Sequence, residues 1–265
     1  MKSHRPTVAD LLSMKGKRQL TMLRVETLDE AEAAEAAGID LVSVPPELLG
    51  PEFREVAPTC FAFPGLEYGD YVTAEDYMRA AFKALKAGGD AVYCAAGLST
   101  VRRMREEGIP VCGHVGLIPS KATWTGGFRA VGKTAASALE IWRQVKELEE
   151  AGAFAAEIEV VPGGVAAAIS ARTSMLMLSM GAGSGCDAQY LFAADVLGSN
   201  RGHVPRHAKT YRNFAAEYDR LQRERIAAFS EFAEDVRSGS YPQEGHLAGI
   251  DGAELRAFLA ELERG

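Results

Sequence analysis

The sequence has no cysteine pair at metal-ligand or redox spacing, no apolar run long enough to cross a membrane, and no excess of positive charge. Each absence removes a class of function. The four cysteines, Cys60, Cys94, Cys112 and Cys186, stand far apart with no CxxC among them, and three lie in apolar, strand-like runs. They read as reduced, buried thiols of a cytoplasmic protein, not as a disulfide frame or a zinc site. The start, MKSHRPTVADLLSMKGKRQL, lacks the continuous apolar core of a secretory signal. Lys and Arg number 29 against 36 Asp and Glu, a formal net charge of −7. That balance excludes non-specific capture of nucleic acid or of an anionic membrane surface.

What is present is a globular chain of 265 residues, 47% hydrophobic. That is enough for a full core, and typical of one α/β barrel or one larger open-sheet domain. Helical and strand-like segments alternate along it. Thr7 to Lys15 reads as a short helix and Leu20 to Val25 as a first strand. Thr27 to Ala37 carries an N-cap threonine and a terminating Gly38. Strands follow at Leu41 to Val44 and Cys60 to Phe63, with the piece between, Glu47 to Pro58, too short for a well-formed crossover helix. Helices at Ala74 to Ala87, Ser99 to Glu107, Thr134 to Ala151 and Gly164 to Arg172 separate strands at Ala91 to Ala95, Val111 to His114, Ala155 to Val161 and Met175 to Met180. A helix at Asp187 to Leu197 leaves room for an eighth short strand after it.

Short apolar strands separated by helices imply parallel pairing, because parallel strands need crossovers. Eight such units in one domain favour a closed (β/α)8 barrel over a doubly wound sheet. The chain is therefore expected to form a single barrel domain over residues 1–265. Helical sequence from about 208 to 265 is extra to the barrel, packed on it and suited to oligomer contacts.

In a barrel the strand ends carry function. The strand at Val111 breaks into Gly113, His114 and Gly116, placing an ionisable group where backbone can approach a ligand. Taken alone, the segment is equally a strand-to-loop turn around a buried histidine. In AAEIEVVPGG, Glu157 and Glu159 lie two apart and share a side of the strand. A carboxylate among Ile158, Val160 and Val161 is costly to bury unless paired, and suits proton abstraction; the alternative is a rim salt bridge. Gly181 to Gly185 precedes the helix expected from Asp187 and could hold an anion on backbone N–H groups, or be a plain tight turn. The loop Lys121 to Lys133, KATWTGGFRAVGK, could be a lid, a surface for a planar ligand such as a pterin, or a subunit contact.

Several segments together resemble a known family. GHVGLIPS at 113–120, GGFRAVGK at 126–133, EVVP at 159–162, MGAGSGCDAQYLFAADVLG at 180–198 and GHVPRHAK at 202–209 are similar to ketopantoate hydroxymethyltransferase, or 3-methyl-2-oxobutanoate hydroxymethyltransferase. VADLLSMKGK and the Tyr241-Pro242 tail also fit. The resemblance implies a barrel of the phosphoenolpyruvate/pyruvate type, a homo-oligomer, and a step of pantothenate biosynthesis. It also implies a reaction: a base removes the C3 proton of a branched 2-oxo acid, Mg²⁺ stabilises the enolate, and methylenetetrahydrofolate supplies the one-carbon unit. The base falls on Glu159 and the substrate-polarising histidine on His114. Arg24, Glu47, Tyr93, Gly113, Gly181, Gly183 and His203 are the expected substrate-binding residues.

The metal side of the resemblance does not carry over. The family's GDS after its second strand is here Val44-Pro45-Pro46-Glu47, and the aspartate after its third falls near Gly65-Leu66. Its K-x-E after the fourth strand is Tyr93-Cys94-Ala95. The Val, Pro, Gly and Ala side chains at these places offer no hard oxygen ligand. A relocated metal on Glu47, Glu67 or Asp70 is the weaker alternative to no metal. The expected activity is hydroxymethyl transfer or an aldol-type reaction on a 2-oxo acid, with His114, Arg24 or backbone N–H groups taking the enolate charge. A C–C lyase of the same barrel superfamily, and a non-catalytic paralogue binding a small carboxylate, remain the alternatives.

Overall fold

A computed structural model describes residues 4–264. Eight parallel strands close in sequential order into a barrel. After helix α1 (Val8–Met14) come β1 (Leu20–Arg24), α2 (Leu28–Ala36), β2 (Leu41–Val44), α3 (Pro51–Val56), β3 (Phe61–Leu66) and α4 (Ala74–Lys86). They continue with β4 (Val92–Cys94), α5 (Leu98–Glu106), β5 (Val111–Gly116), α6 (Ala122–Thr125) and α7 (Ala135–Glu150). The last are β6 (Ala155–Glu159), α8 (Gly163–Ser170), β7 (Leu176–Met180), β8 (Ala188–Phe192) and α9 (Ala193–Leu197). Local sequence starts these helices: Thr7, Thr73 and Thr134 each accept the N3 backbone N–H, while the N3 side chain returns a bond to the cap.

The chain forms two compact units, divided in sequence between Arg212 and Asn213. The second holds α10 (Phe214–Ser238), capped by Asn213, and α11 (Gly252–Leu262), and within it Tyr241 packs against Phe232 and His246. No helix among the described residues is long and apolar enough to cross a membrane.

One element differs from its sequence reading. Asp187 to Phe192, expected as the start of a helix, is mostly strand β8, and only Ala193–Leu197 is helical. Between β7 and β8 there is no helix, and residues 181–187 form the whole return connection. The glycines follow from that path. A Cβ on Gly185 would sit 2.4 Å from the Ala167 Cβ of α8, and one on Gly183 3.1 Å from the Gly163 Cα. Contact with α8 therefore uses these glycines, and no helix N-terminus follows them to hold an anion.

Strand parity builds the interior. Leu20, Met22, Leu41, Phe61, Phe63, Ala91, Cys112, Ala155, Leu176, Leu178 and Ala188 share one buried cluster inside the barrel. Phe154 stacks on Phe63 with ring centroids 6.0 Å apart. Each large side chain among them, such as Leu20, Met22 or Phe61, contributes about 1.5–3 kcal/mol by leaving water. Alternate residues such as Val42, Val92, Ala156 and Ile158 face the helices instead. Continued up the strands, the inward parity changes character: Met22 is followed by Arg24, Leu41 by Ser43, Ala91 by Tyr93, Cys112 by His114, and Ala155 by Glu157 and Glu159. The lower barrel is apolar and its C-terminal mouth is ionisable.

Candidate active site

The mouth opens into a cavity of about 480 Å³, lined by residues that include Arg24, Ser43, Tyr93, His114, Glu157 and Glu159. Strand register brings the last three together. In the β5–β6 ladder His114 stands opposite Glu157 and Gly116 opposite Glu159. Gly116 adopts φ 87°, and a Cβ there would lie 2.4 Å from the Glu159 carbonyl oxygen, so only glycine permits this approach. The Leu117 N–H closes it, donating to that oxygen at 2.9 Å.

Immediately after Glu159, Val160 has φ 48°, a left-handed conformation that is a genuine outlier for a β-branched residue. Its N–H donates to Met180 O at 2.8 Å, and its carbonyl accepts from Val131 N at 3.1 Å. Such a conformation costs about 1–3 kcal/mol and persists only where neighbours over-determine it. Strain of this kind, beside a cavity carboxylate, marks the turn that presents Glu159.

The His114 side chain is 5% exposed, that of Glu157 4% and that of Glu159 14%. His114 Nδ1 lies 2.6 Å from the Tyr93 hydroxyl. Its Nε2 lies 3.1 Å from Glu159 Oε2 and 4.0 Å from Glu157 Oε1, yet makes no hydrogen bond. Burial pulls the imidazole pKa down, but the two carboxylates overcome this and hold it above its ordinary value. Burial pushes Glu157 up; His114 opposes that rise and Glu159 adds to it. Tyr93 is raised well above the usual phenol range, by burial first and then by Glu157.

Across the cavity, Arg24 is anchored from two sides. Its Nε donates to Glu26 Oε1 at 2.6 Å and its Nη1 to Ser43 Oγ at 3.3 Å. The buried Tyr190 lines the same cavity as Ser43. The cysteines take no part: burial pushes Cys94 and Cys186 up to about 11 and Cys112 well above the usual thiol range.

Of the expected substrate-binding residues, Arg24 and Tyr93 line this cavity. Gly181 stands at its edge, where a Cβ would meet the cavity-lining His207 at 2.6 Å. Three glycine and acidic positions are corrected. Gly113 faces α7, where a Cβ would strike Leu148 at 2.9 Å; Gly183 packs on Gly163; Glu47 is exposed on the 3-10 turn Pro46–Leu48. His203 is exposed off the cavity, and His207 of the same motif lines it instead. Ser43, Tyr190 and Phe192 were not among the expected site residues, and Glu157 was placed on the side of Glu159 without a role of its own. Inward parity marks Glu157 and Ser43 in the sequence, whereas Tyr190 and Phe192 lay in a stretch read as helix.

The loop Lys121 to Lys133 carries α6, with Trp124 and Phe128 exposed. Lys121, Trp124 and Thr125 border a smaller cavity of about 300 Å³ that shares His114 with the main one. Of the relocated metal candidates, Glu67 lines the main cavity while Glu47 and Asp70 do not. Among the described residues, the one group of three His, Cys, Asp or Glu side chains with candidate ligand atoms within 4.8 Å of one another is His114, Glu157 and Glu159.

Comparison with known proteins agrees with this geometry. The family described as ketopantoate hydroxymethyltransferase matches residues 54–244. The 3-methyl-2-oxobutanoate hydroxymethyltransferase of Thermus thermophilus is 35% identical over 266 residues, covering 91% of this chain and 99% of that protein. That of Kosmotoga olearia is 32% identical over 259 residues, covering 89% and 94%. Among solved structures, oxaloacetate acetylhydrolase with its product oxalate aligns with a TM-score of 0.55 at 11% identity, covering 88% of this chain and 97% of that one. The carboxyl transferase domain of Rhizobium etli pyruvate carboxylase aligns at 0.53 and 12% identity, covering 69% and 42%. At such identities the likeness is one of fold alone. The identity to the hydroxymethyltransferases spans most of both chains, and this protein belongs to the ketopantoate hydroxymethyltransferase family.

Proposed function

We propose that the cavity enolises 3-methyl-2-oxobutanoate and directs hydroxymethyl transfer to its C3, with Glu159 as the base and His114 as its proton partner. The observation that carries this reading is the 3.1 Å approach of Glu159 Oε2 to a buried His114 Nε2 that has no hydrogen bond. A carboxylate beside a proton acceptor, at the open end of a barrel, suits removal of a proton α to a carbonyl. The C3–H bond breaks, the proton passes to Glu159, and the electron pair delocalises onto the substrate's carbonyl oxygen. C3 then bonds to the methylene carbon of methylenetetrahydrofolate. The two carbon–nitrogen bonds to the folate break, water gives its hydroxyl to the methylene carbon, and the folate nitrogens take up the second proton of that water and the proton held by Glu159. Arg24, held by Glu26 and Ser43, offers its guanidinium to the substrate carboxylate.

Mg²⁺, the ion that the family resemblance implies, does not fit these residues. Two side-chain cations stand where its ligands would come from. The Arg24 guanidinium covers Gly65, with Nη1 3.2 Å from where a Cβ would be, and Lys121 Nζ donates to Ala95 O at 2.7 Å. The remaining carboxylates, Glu157 and Glu159, flank an imidazole in a nearly closed space. Mg²⁺ takes oxygen ligands in a regular octahedron and keeps several waters. Enolate charge therefore falls to Arg24 and His114, fixed donors that line the cavity. As part of the same reading the enzyme works in the cytoplasm, supported by its four free, buried thiols, and as a homo-oligomer, supported by the family resemblance.

The test is C3–H exchange of 3-methyl-2-oxobutanoate in D₂O, followed by NMR with and without EDTA. Exchange by the wild type that survives EDTA and disappears in Glu159→Gln is the expected result. No exchange by the wild type, even with Mg²⁺ added, would overturn the 2-oxo acid as substrate and leave the lyase or the carboxylate-binding paralogue.

A further inference from the structure

Three side chains at the barrel mouth converge without bonding one another. His114 Nε2 lies 3.1 Å from Glu159 Oε2 and 4.0 Å from Glu157 Oε1. Among the described residues it is the one fully buried side-chain nitrogen or oxygen without a hydrogen-bond partner. A separation of 3.1 Å suits a hydrogen bond, so it is direction that fails: nitrogen and carboxylate do not point at each other. Atoms that share a metal ion behave in this way. Each aims a lone pair at the ion, and with bonds of about 2.1 Å neighbouring ligands stand roughly 3.0–3.5 Å apart.

Charge leads to the same place. The Glu157 and Glu159 side chains are 4% and 14% exposed, and among the described residues neither forms an ion pair with Lys or Arg. Buried carboxylates are paired or coordinate metals. Two carboxylates and a neutral imidazole balance a divalent ion, and one nitrogen with two oxygens suits zinc and its neighbouring transition ions better than Mg²⁺ or Ca²⁺. The three candidate ligand atoms lie within 4.8 Å of one another. Two ligands of one ion cannot stand more than roughly 4.2 Å apart, so closing the set moves a carboxylate by less than about 1 Å. Behind the ring, the Tyr93 hydroxyl lies 2.6 Å from Nδ1. It supplies the outer partner that a metal-bound histidine needs, since its oxygen can accept Nδ1–H while Nε2 faces the ion.

We infer that His114, Glu157 and Glu159 form a site for a divalent transition ion of the zinc class, and that filling it silences the proton abstraction. The second half rests on the reading of Glu159 as the base. On binding, Nε2 and one oxygen of each carboxylate donate electron pairs to the ion, and any proton they hold passes to water. The Glu159 oxygen beside His114 is then committed to the ion and loses its basicity. No substrate bond breaks and nothing is oxidised. Glu157, which has no part in the reaction as written above, is the ligand that turns a base and its histidine into a metal site.

Isothermal titration of the untagged, EDTA-stripped full chain with Zn²⁺ tests the site without turnover. The expected result is one tightly bound equivalent, with Mg²⁺ at least about 100-fold weaker. A hydrogen-bond partner behind a ligand is worth about 10–100-fold in metal affinity. Tyr93→Phe should therefore weaken Zn²⁺ by about that factor, and Glu157→Gln, which removes a ligand, by about 100-fold or more. X-ray absorption of the zinc-loaded wild type needs no variant, and should show nitrogen and oxygen ligands, imidazole included, with no sulfur. In C3–H exchange, one equivalent of Zn²⁺ should slow the wild type about 100-fold and EDTA should restore it, while Glu157→Gln stays within about threefold of its own EDTA-treated rate.

Sulfur ligands, the lack of a tight equivalent, or an equivalent retained in Glu157→Gln would overturn the site. Undiminished exchange with zinc bound would overturn the silencing. Zinc bound as expected by a chain that shows no exchange even after EDTA would support the site and overturn the proposed reaction instead.

Discussion

The Tyr93 hydroxyl stands 2.6 Å from His114 Nδ1, across two adjacent strands of the barrel. The two residues are not register partners: Tyr93 pairs with Cys112, two positions before His114. The contact exists because the tyrosine reaches past its own layer to the next inward position of β5. Its effect is to leave Nε2 as the only ring nitrogen turned toward Glu159.

Glu159→Asp should show how closely this pair is set. Shortening the side chain by one methylene moves the carboxylate by more than 1 Å from Nε2, a displacement that costs about 100-fold in rate when reacting groups must meet. The measurement is the single-turnover rate of C3–H exchange at saturating 2-oxo acid. A loss below about threefold would show that the base is elsewhere.

Val160 holds the Glu159 turn at φ 48°. Val160→Gly should leave the unfolding free energy unchanged or raise it by about 1 kcal/mol, because glycine adopts this conformation without strain. Val160→Pro should lower it by about 3 kcal/mol or more, since proline cannot reach positive φ and lacks the N–H bonded to Met180 O. Urea titrations of the two variants check both signs.

Gly185 and Gly164, on either side of the α8 contact, separate close packing from anion binding. Gly185→Ala should cost about 1–3 kcal/mol, because its Cβ would overlap Ala167 at 2.4 Å. Gly164→Ala, in the first turn of α8 with nothing within 4 Å, should be neutral or stabilise by up to about 1 kcal/mol. Thermal melts with and without 10-fold excess phosphate, relative to protein, are the check. A melt that phosphate raises in the wild type and not in Gly185→Ala would restore the anion-binding reading.

Stability should fall in acid through Glu149. Burial alone would raise this carboxyl, but bonds from Lys146, Ser174 and Thr173 hold it down to about 2. A folded-state pKa below the unfolded one contributes stability that is present above the unfolded value and lost as pH falls through the folded one. Between about pH 4.5 and pH 2 the wild type should therefore lose stability more steeply than Glu149→Gln. Urea midpoints at pH 5, 4 and 3 provide the comparison. Parallel slopes would remove Glu149 as the cause.

Much of the barrel was legible because it follows from local rules. Threonine caps, terminating glycines and short apolar strands are one-dimensional signals, and each is satisfied within a few residues of itself. The eighth strand was not legible. Asp187 to Phe192 has no helix before it, so the alternation that identified the other strands was missing. Its strand character comes from pairing with β1 and β7, which are distant and adjacent in sequence respectively. The same misreading hid Tyr190 and turned the close-packing glycines into a candidate anion loop.

By itself the sequence determined the barrel class, the family, and two residues that line the cavity at the barrel mouth, His114 and Glu159. Each sits in a short motif whose neighbours in the chain set its backbone. Tertiary structure decided the rest. It showed that Glu157 stands opposite His114, that Arg24 covers Gly65, that Lys121 reaches Ala95, and that His207 rather than His203 faces the cavity. These relations depend on barrel closure and strand stagger, which place residues from five or more strands within a few ångströms. No spacing along the chain encodes such distances, because the energy that sets them comes from packing the apolar layers beneath.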